Sequence, residues 1–219
     1  RRPPRSTLFP YTTLFRSGAL NESFSDIFGA AVEWLQNPTS GDWLMGEDVG
    51  TLRSMSNPNA YGDPDTYNGT NFYVGPNDNG GVHINSGVQN KWFVILTDGE
   101  SGTNDLGDAY NVTGIGIQDA EAIAYRNLTV YLGQTSEYAD ARFYAIQSAI
   151  DLFGGCSPQV IATTDAWYAV GVGDEFDPTV IGDFSASITA NCEAPATVSF
   201  SNLSSNGSSF NWDFGDGGT

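Results

Sequence analysis

Residues 21–36 read NESFSDIFGAAVEWLQ, and this stretch decides how the chain around it folds. Its apolar residues recur at spacings of three and four, which predicts an amphipathic helix with one packed face. The residues of that face are Phe24, Ile27, Phe28, Ala31 and Trp34. Pro38 follows the last apolar position and ends the predicted helix.

The rest of the chain divides into segments that differ in residue composition and apolar spacing. Further helices are predicted at residues 83–97, 119–132, 136–153 and 157–170. Residues 37–81 are rich in Gly, Asn, Asp and Pro and predict a functional loop. Residues 174–180 predict a linker, and residues 181–219 alternate apolar and small polar residues, as short antiparallel strands do. We therefore expect a mainly α-helical domain at residues 18–173, followed by a truncated β-sandwich piece too short to bury its own core.

The first 17 residues differ from the remainder. They hold four of the eight basic residues and none of the 26 acidic residues. Residues 6–17, STLFPYTTLFRS, are similar to a translated sequencing adapter, and their interrupted apolar run does not fit a signal peptide. We expect residues 1–17 to be an artefact and the N-terminal part of the natural protein to be missing.

The composition excludes several kinds of partner. A net charge of −18 opposes binding to nucleic acid and to anionic membranes. The chain has no apolar run long enough to span a bilayer, and its 40% apolar residues suffice for a globular core. Excess carboxylate suits a secreted protein in a calcium-containing medium, and we expect a monomer. Whether Cys156 and Cys192 pair stays open.

Three carboxylates lie on one side of the predicted first helix. At 100° per residue, Glu22, Asp26 and Glu33 point to about 0°, 40° and 20°. Such an acidic stripe is either a solvated face or a set of metal ligands and their supporting groups. Spacing alone leaves both interpretations open.

Several motifs carry a family resemblance. Residues 18–29, GALNESFSDIFG, resemble the GAxNExxSDxFG segment of thermolysin-like zinc metallopeptidases. Further similar stretches are LRSMSNP at 52–58, YGDPD at 61–65, DNGGVHINSG at 78–87 and WYAVGV at 167–172. The resemblance covers residues 18–173 and implies the C-terminal helical domain of that fold.

The resemblance also implies roles for individual residues. Glu22 corresponds to the third zinc ligand, and Asp26 to the carboxylate that holds a zinc-binding imidazole. Arg53 corresponds to the donor to the substrate carbonyl. His83 corresponds to the group that stabilises the tetrahedral intermediate and donates a proton, with Asp78 orienting its ring. The two histidine ligands of the family come from an upstream HExxH helix. Because this chain has one histidine, we expect it to be inactive by itself.

A second metal site is implied beside the first helix. Residues 32–48 resemble the VExxxNxxxDWxxGED pattern of the family's calcium site, with Glu33, Asp42 and Glu47 as ligands. Carboxylates clustered at a helix end and the following loop suit Ca²⁺, which prefers oxygen ligands.

The end of the chain resembles a different module. Residues 210–217, FNWDFGDG, are similar to a turn of PKD-type β-sandwich modules.

Taken together, these resemblances predict a fragment of a secreted zinc metalloendopeptidase that acts on polypeptides through a metal-activated water. The alternative is a non-catalytic extracellular binding or adhesion module built on a degenerate protease scaffold.

Overall fold

The structure is a computed structural model that describes residues 12–37, 41–178, 184–187, 197–204 and 212, without the side chains of residues 12–17 and 48. The α-helices of the described residues are α1 (Thr12–Gln36), α2 (Asp78–Asp98), α3 (Ile117–Arg126), α4 (Tyr138–Phe153) and α5 (Pro158–Ala169). A π-helical turn, Asn127–Tyr131, continues α3. The strands form three antiparallel pairs: β1 (Leu44–Met45) with β2 (Arg53–Ser54), β3 (Gly99–Thr103) with β4 (Ala109–Thr113), and β5 (Phe184–Ala186) with β6 (Phe200–Asn202). The mainly α-helical class is confirmed.

The helices pack around α2. This helix is buried on nearly all sides, since it lies against α1, α3 and α5. Its Trp92 stacks on Trp167 of α5 with ring centroids 4.7 Å apart, and both indoles are fully buried. From α1, Phe24 and Ile27 enter the same core. Packing on several sides therefore holds α2 in place, and with it His83 near the N-terminal end of this helix.

Helix α1 is longer than the sequence predicts. It begins at Thr12, nine residues before the predicted start at Asn21. Residues 12–17 contain neither glycine nor proline, and Gly18 alone does not interrupt the helix. The predicted packed face is confirmed at Phe24, Ile27 and Ala31, which are buried.

One hairpin is missing from the sequence prediction. Strands β3 and β4 pair in register from Gly99↔Thr113 to Thr103↔Ala109. Most residues of both strands are exposed, and only Val112 is buried, so the hairpin lacks the alternating apolar pattern by which strands are recognised. Gly99 joins it to α2 with a φ of 77°, and a Cβ there would lie 2.5 Å from the Gly114 nitrogen.

The chain divides into two compact units, Arg1–Phe176 and Asp177–Thr219. In the second unit β5 pairs with β6, as expected of short antiparallel strands. The side chains of Phe184, Phe200 and Trp212 form a small aromatic cluster, with centroids 5.7–6.2 Å apart. Cys192 and most of the PKD-like stretch lie outside the described residues, so those interpretations stay predictions. Every helix among the described residues is too short or too polar to cross a membrane.

Candidate active site and metal centres

A carboxylate and an imidazole face each other where α1 and α2 pack. The Glu22 Oε2 atom on α1 lies 3.5 Å from His83 Nε2 on α2. Both side chains remain partly open to solvent, at 32% and 53% exposure. The structure thus brings together two of the predicted site residues at a solvent-accessible edge of the helical core.

A left-handed turn sets the position of His83. Gly80 and Gly81 have φ values of 86° and 81°, which glycine adopts without strain. A Cβ on Gly81 would lie 2.7 Å from the ring of Tyr73, so a larger residue would not fit. The regular part of α2 therefore starts just before His83 and holds its ring close to Glu22.

Asp78 makes two hydrogen bonds with His83. Its Oδ1 lies 2.6 Å from the ring Nδ1, and its Oδ2 accepts from the His83 backbone N–H at 2.9 Å. The hydrogen bond to Asp78 raises the pKa of His83, and the negative charges of Asp78 and Glu22 add to this effect against burial and Arg53. Burial would raise the pKa of Asp78, but the hydrogen bonds from His83 lower it overall. The pair therefore favours a protonated imidazole with Nε2 directed away from Asp78.

The predicted arginine lies beside the second carboxylate of α1. Arg53, on β2, donates from Nη1 to Asp26 Oδ2 at 3.0 Å and lies 3.4 Å from the Ser86 hydroxyl. Ser86 in turn donates to the His83 carbonyl at 2.7 Å. No other nitrogen of the guanidinium hydrogen-bonds to a described residue, and the side chain is 18% exposed. Arg53 is thus anchored at one nitrogen while its remaining donors stay available.

The acidic stripe of α1 separates into two sites. Glu33 lies with Asp42 and Glu47, each offering a carboxylate oxygen within 4.8 Å of the others. Partial burial, followed by the charges of Glu47 and Asp42, raises the pKa of Glu33. Like charges held this close repel each other, and a bound cation would relieve the repulsion. This arrangement fits a hard cation such as Ca²⁺.

The loop that supplies the acidic cluster is anchored to the core. Trp43 donates from its indole to Asp98 Oδ2 at 2.7 Å, and its ring lies 5.7 Å from Trp34. The Leu44 backbone N–H donates to Asp42 Oδ1 at 2.9 Å. The left-handed conformation of Gly46, with φ 84°, turns the chain toward Glu47.

Burial raises the pKa of Asp63 to about 6, with Asp26 and Asp78 adding to the shift and Arg53 opposing it. Because the folded-state pKa lies above the ordinary value of an aspartate in an unfolded chain, the stability linked to this group is present below about pH 4 and is lost as pH rises through 6. We expect Asp63→Asn to be as stable as the parent near pH 4 and more stable by about 1–2 kcal/mol near pH 7, where it should therefore melt at a higher temperature. Melting temperatures of both proteins between pH 4 and 7 check this. A difference that does not change with pH would contradict it.

Two buried polar residues near the site were not predicted from the sequence. Asn90 of α2 donates from Nδ2 to Asp26 Oδ2 at 2.8 Å, and its Oδ1 accepts from the Ser23 hydroxyl at 2.7 Å. The sequence offered little signal for them, because α2 also buries Asn85, Ser86 and Gln89, so polarity alone does not single out Asn90.

Comparison with known proteins places these features in a family. The sequence profile described as "Thermolysin metallopeptidase, alpha-helical domain" matches residues 12–172. The chain is 47% identical over 163 residues to bacillolysin of Bacillus cereus, a match covering 71% of this chain and 27% of that protein. Thermolysin of Alicyclobacillus acidocaldarius subsp. acidocaldarius is 44% identical over the same length, with 28% of it covered. The chain thus spans about a quarter of the length of these relatives.

A solved structure agrees with the sequence matches. The precursor of protealysin, a metalloproteinase from Serratia proteamaculans, superposes with a TM-score of 0.58 at 29% identity, covering 72% of this chain and 50% of that one. The helical fold and these matches define the class as a metallopeptidase domain. The chain belongs to the thermolysin metallopeptidase family, of which it contains the α-helical domain. The match begins at residue 12, whereas we expected natural sequence from residue 18, and that boundary stays a prediction.

Proposed function

We propose that this chain is part of a secreted zinc metalloendopeptidase that hydrolyses peptide bonds in polypeptide substrates. The observation that carries the proposal is the 3.5 Å approach of Glu22 to His83 in a chain of this family. A lone glutamate beside a histidine is common on protein surfaces, but here family membership and a second supported carboxylate, Asp26, accompany it. The PKD-like second unit and the extracellular location belong to the same proposal.

The residues present fit one part of a zinc site. Glu22 offers a partly exposed carboxylate, a normal zinc ligand. Since His83 is the single histidine of the chain, two imidazole ligands would have to come from outside it. When bound, zinc supplies a Lewis acid and lowers the pKa of its water. By itself this chain should therefore not hydrolyse peptides.

His83 and Arg53 supply donors to the scissile carbonyl. Asp78 holds one ring nitrogen of His83, and the raised pKa favours an N–H on the other. That N–H can donate to the oxygen as negative charge develops on it. Arg53, anchored through Nη1 to Asp26, can donate from its remaining nitrogens to the same carbonyl or its neighbour. Both donors are held in place before the substrate binds. Donors that need no rearrangement during the reaction stabilise the developing negative charge most effectively.

Zinc content and casein hydrolysis test the proposal on the full-length gene product. We expect about one zinc per molecule, and activity that a zinc chelator removes and added zinc restores. A zinc-free, inactive full-length protein would instead favour the second candidate, a binding or adhesion module on a degenerate protease scaffold. The presence of two neighbouring groups, Glu22–His83–Asp78 and Asp26–Arg53, favours the enzyme.

We further propose that the cluster of Glu33, Asp42 and Glu47 binds calcium. Removing calcium with EGTA should lower the melting temperature by about 5–10 °C, if calcium is present at about 100 times its dissociation constant. Differential scanning fluorimetry with and without EGTA measures the shift. Glu47→Gln should abolish most of it, whereas Glu121→Gln, an exposed glutamate on α3, should leave it unchanged. An equal EGTA shift in all three proteins, or none in the parent, contradicts the assignment.

A further inference from the structure

The amide of Asn90 is fixed at both ends in the buried contact between α1 and α2. Asn90 and Ser23 are 1% and 0% exposed. The Ser23 hydroxyl donates to Asn90 Oδ1 at 2.7 Å, which leaves the amide nitrogen directed at Asp26 Oδ2, 2.8 Å away. Because the Asp26 carboxylate only accepts hydrogen bonds, it requires the amide nitrogen on its side, and the Ser23 hydroxyl then donates to the amide oxygen, so the two contacts together select one orientation of the amide.

Asp26 receives both of its described hydrogen bonds on one oxygen. Arg53 Nη1 and Asn90 Nδ2 donate to Oδ2 at 3.0 and 2.8 Å. Its Oδ1 makes no hydrogen bond with a described residue, and the side chain is 15% exposed. Two donors on Oδ2 fix the plane of the carboxylate and keep Oδ1 available for a further donor.

We propose that Asn90, oriented by Ser23, is a positioning residue that sets the Asp26 carboxylate and, through it, Arg53. The inference rests on the proposed function, since the hydrogen bond that Oδ1 would accept comes from a zinc-binding imidazole. Without the amide, Asp26 can rotate, and both the imidazole it holds and the guanidinium it anchors lose their fixed geometry. A partner of this kind affects metal affinity although it contacts neither metal nor substrate.

The experiment compares Asn90→Leu with a matched control in the full-length protein. Asn127 is also fully buried, and it donates to the Ala141 carbonyl at 2.9 Å, away from the site. Asn127→Leu therefore also removes a buried, hydrogen-bonded amide, and it controls for the general effect of such a loss on stability. We expect Asn90→Leu to weaken zinc binding about tenfold and to lower kcat about tenfold with little change in KM. Asn127→Leu should change neither, and Ser23→Ala should produce about a threefold loss of both.

A second measurement does not depend on zinc. ¹⁵N relaxation of the Arg53 Nε should show a more mobile guanidinium in Asn90→Leu than in the parent or in Asn127→Leu. If Arg53 stays ordered and zinc affinity is unchanged in Asn90→Leu, then Asn90 is only a packing residue and the inference is wrong. If Glu22→Gln binds zinc and cleaves casein like the parent, the proposed function fails, while the Arg53 measurement still decides whether Asn90 positions Asp26.

Discussion

Replacing Glu22 by Gln in the full-length protein is expected to remove most zinc binding and to lower casein hydrolysis by on the order of a thousandfold or more. The amide has the same shape but no charge, and zinc in proteins is bound by imidazole, thiolate and carboxylate. Glu22 is suited to this role because it projects from α1 at a packed contact with α2, 3.5 Å from His83, rather than into open solvent. Zinc content by atomic emission and kcat/KM on casein measure the two effects.

The control for this variant is Glu121→Gln, an exposed glutamate of α3. It removes the same charge from a chain whose net charge is already −18, so it accounts for any general electrostatic effect. Its activity and zinc content should equal those of the parent. Activity of Glu22→Gln within threefold of the control would mean that Glu22 is a surface carboxylate with no catalytic part.

Replacing Trp167 by Ala is expected to destabilise the first unit by about 3–5 kcal/mol. The indole is fully buried, stacks on Trp92 at 4.7 Å and meets the ring of Tyr138 at 6.4 Å. Its removal opens a cavity between α5 and α2 that these aromatic neighbours cannot fill without leaving their own contacts. The melting temperature should fall by roughly 8–15 °C, as expected for a domain of this size.

The loss of packing in Trp167→Ala should affect the candidate site as well as the core. The Tyr138 hydroxyl donates to the Asn85 carbonyl at 2.5 Å, and Asn85 lies two residues after His83 on α2. Thermal unfolding followed by circular dichroism measures the effect. Leu35→Ala, which truncates an apolar side chain that is 81% exposed, should change stability by less than about 0.5 kcal/mol. A Trp167→Ala melting temperature close to that of Leu35→Ala would show that the tryptophan pair does not support the core.

The helices could be predicted because burial of one helix face produces a periodic pattern of apolar residues in the sequence. Phe24, Ile27 and Ala31 recur at helical spacing and are buried as predicted. The β3–β4 hairpin has no such pattern, since only Val112 is buried and polar contacts within the hairpin and to α2 stabilise it. Lys91 of α2 donates to Glu100 at 2.7 Å, and Tyr110 donates to the same carboxylate at 2.7 Å. Such isolated polar contacts have no period along the sequence.

The candidate site was predictable where motifs name residue types and unpredictable where partners are set by packing. The motifs named Glu22, Asp78 and His83, and the structure brings their side chains together. The Ser23–Asn90 hydrogen bond joins residues 67 positions apart, so it depends on how α1 lies against α2. Helical angles predict that Glu33 lies in line with Glu22, but they could not assign the two carboxylates to separate clusters.

The most direct test of the account is a crystal structure of the zinc-loaded full-length protein, with anomalous data collected at the zinc absorption edge. The account predicts an anomalous peak about 2.0–2.2 Å from a Glu22 carboxylate oxygen, on the side of His83 and within reach of Asp26 through one imidazole. A peak bound only at the Glu33, Asp42 and Glu47 cluster, or a Glu22 side chain turned away from the metal, would contradict it.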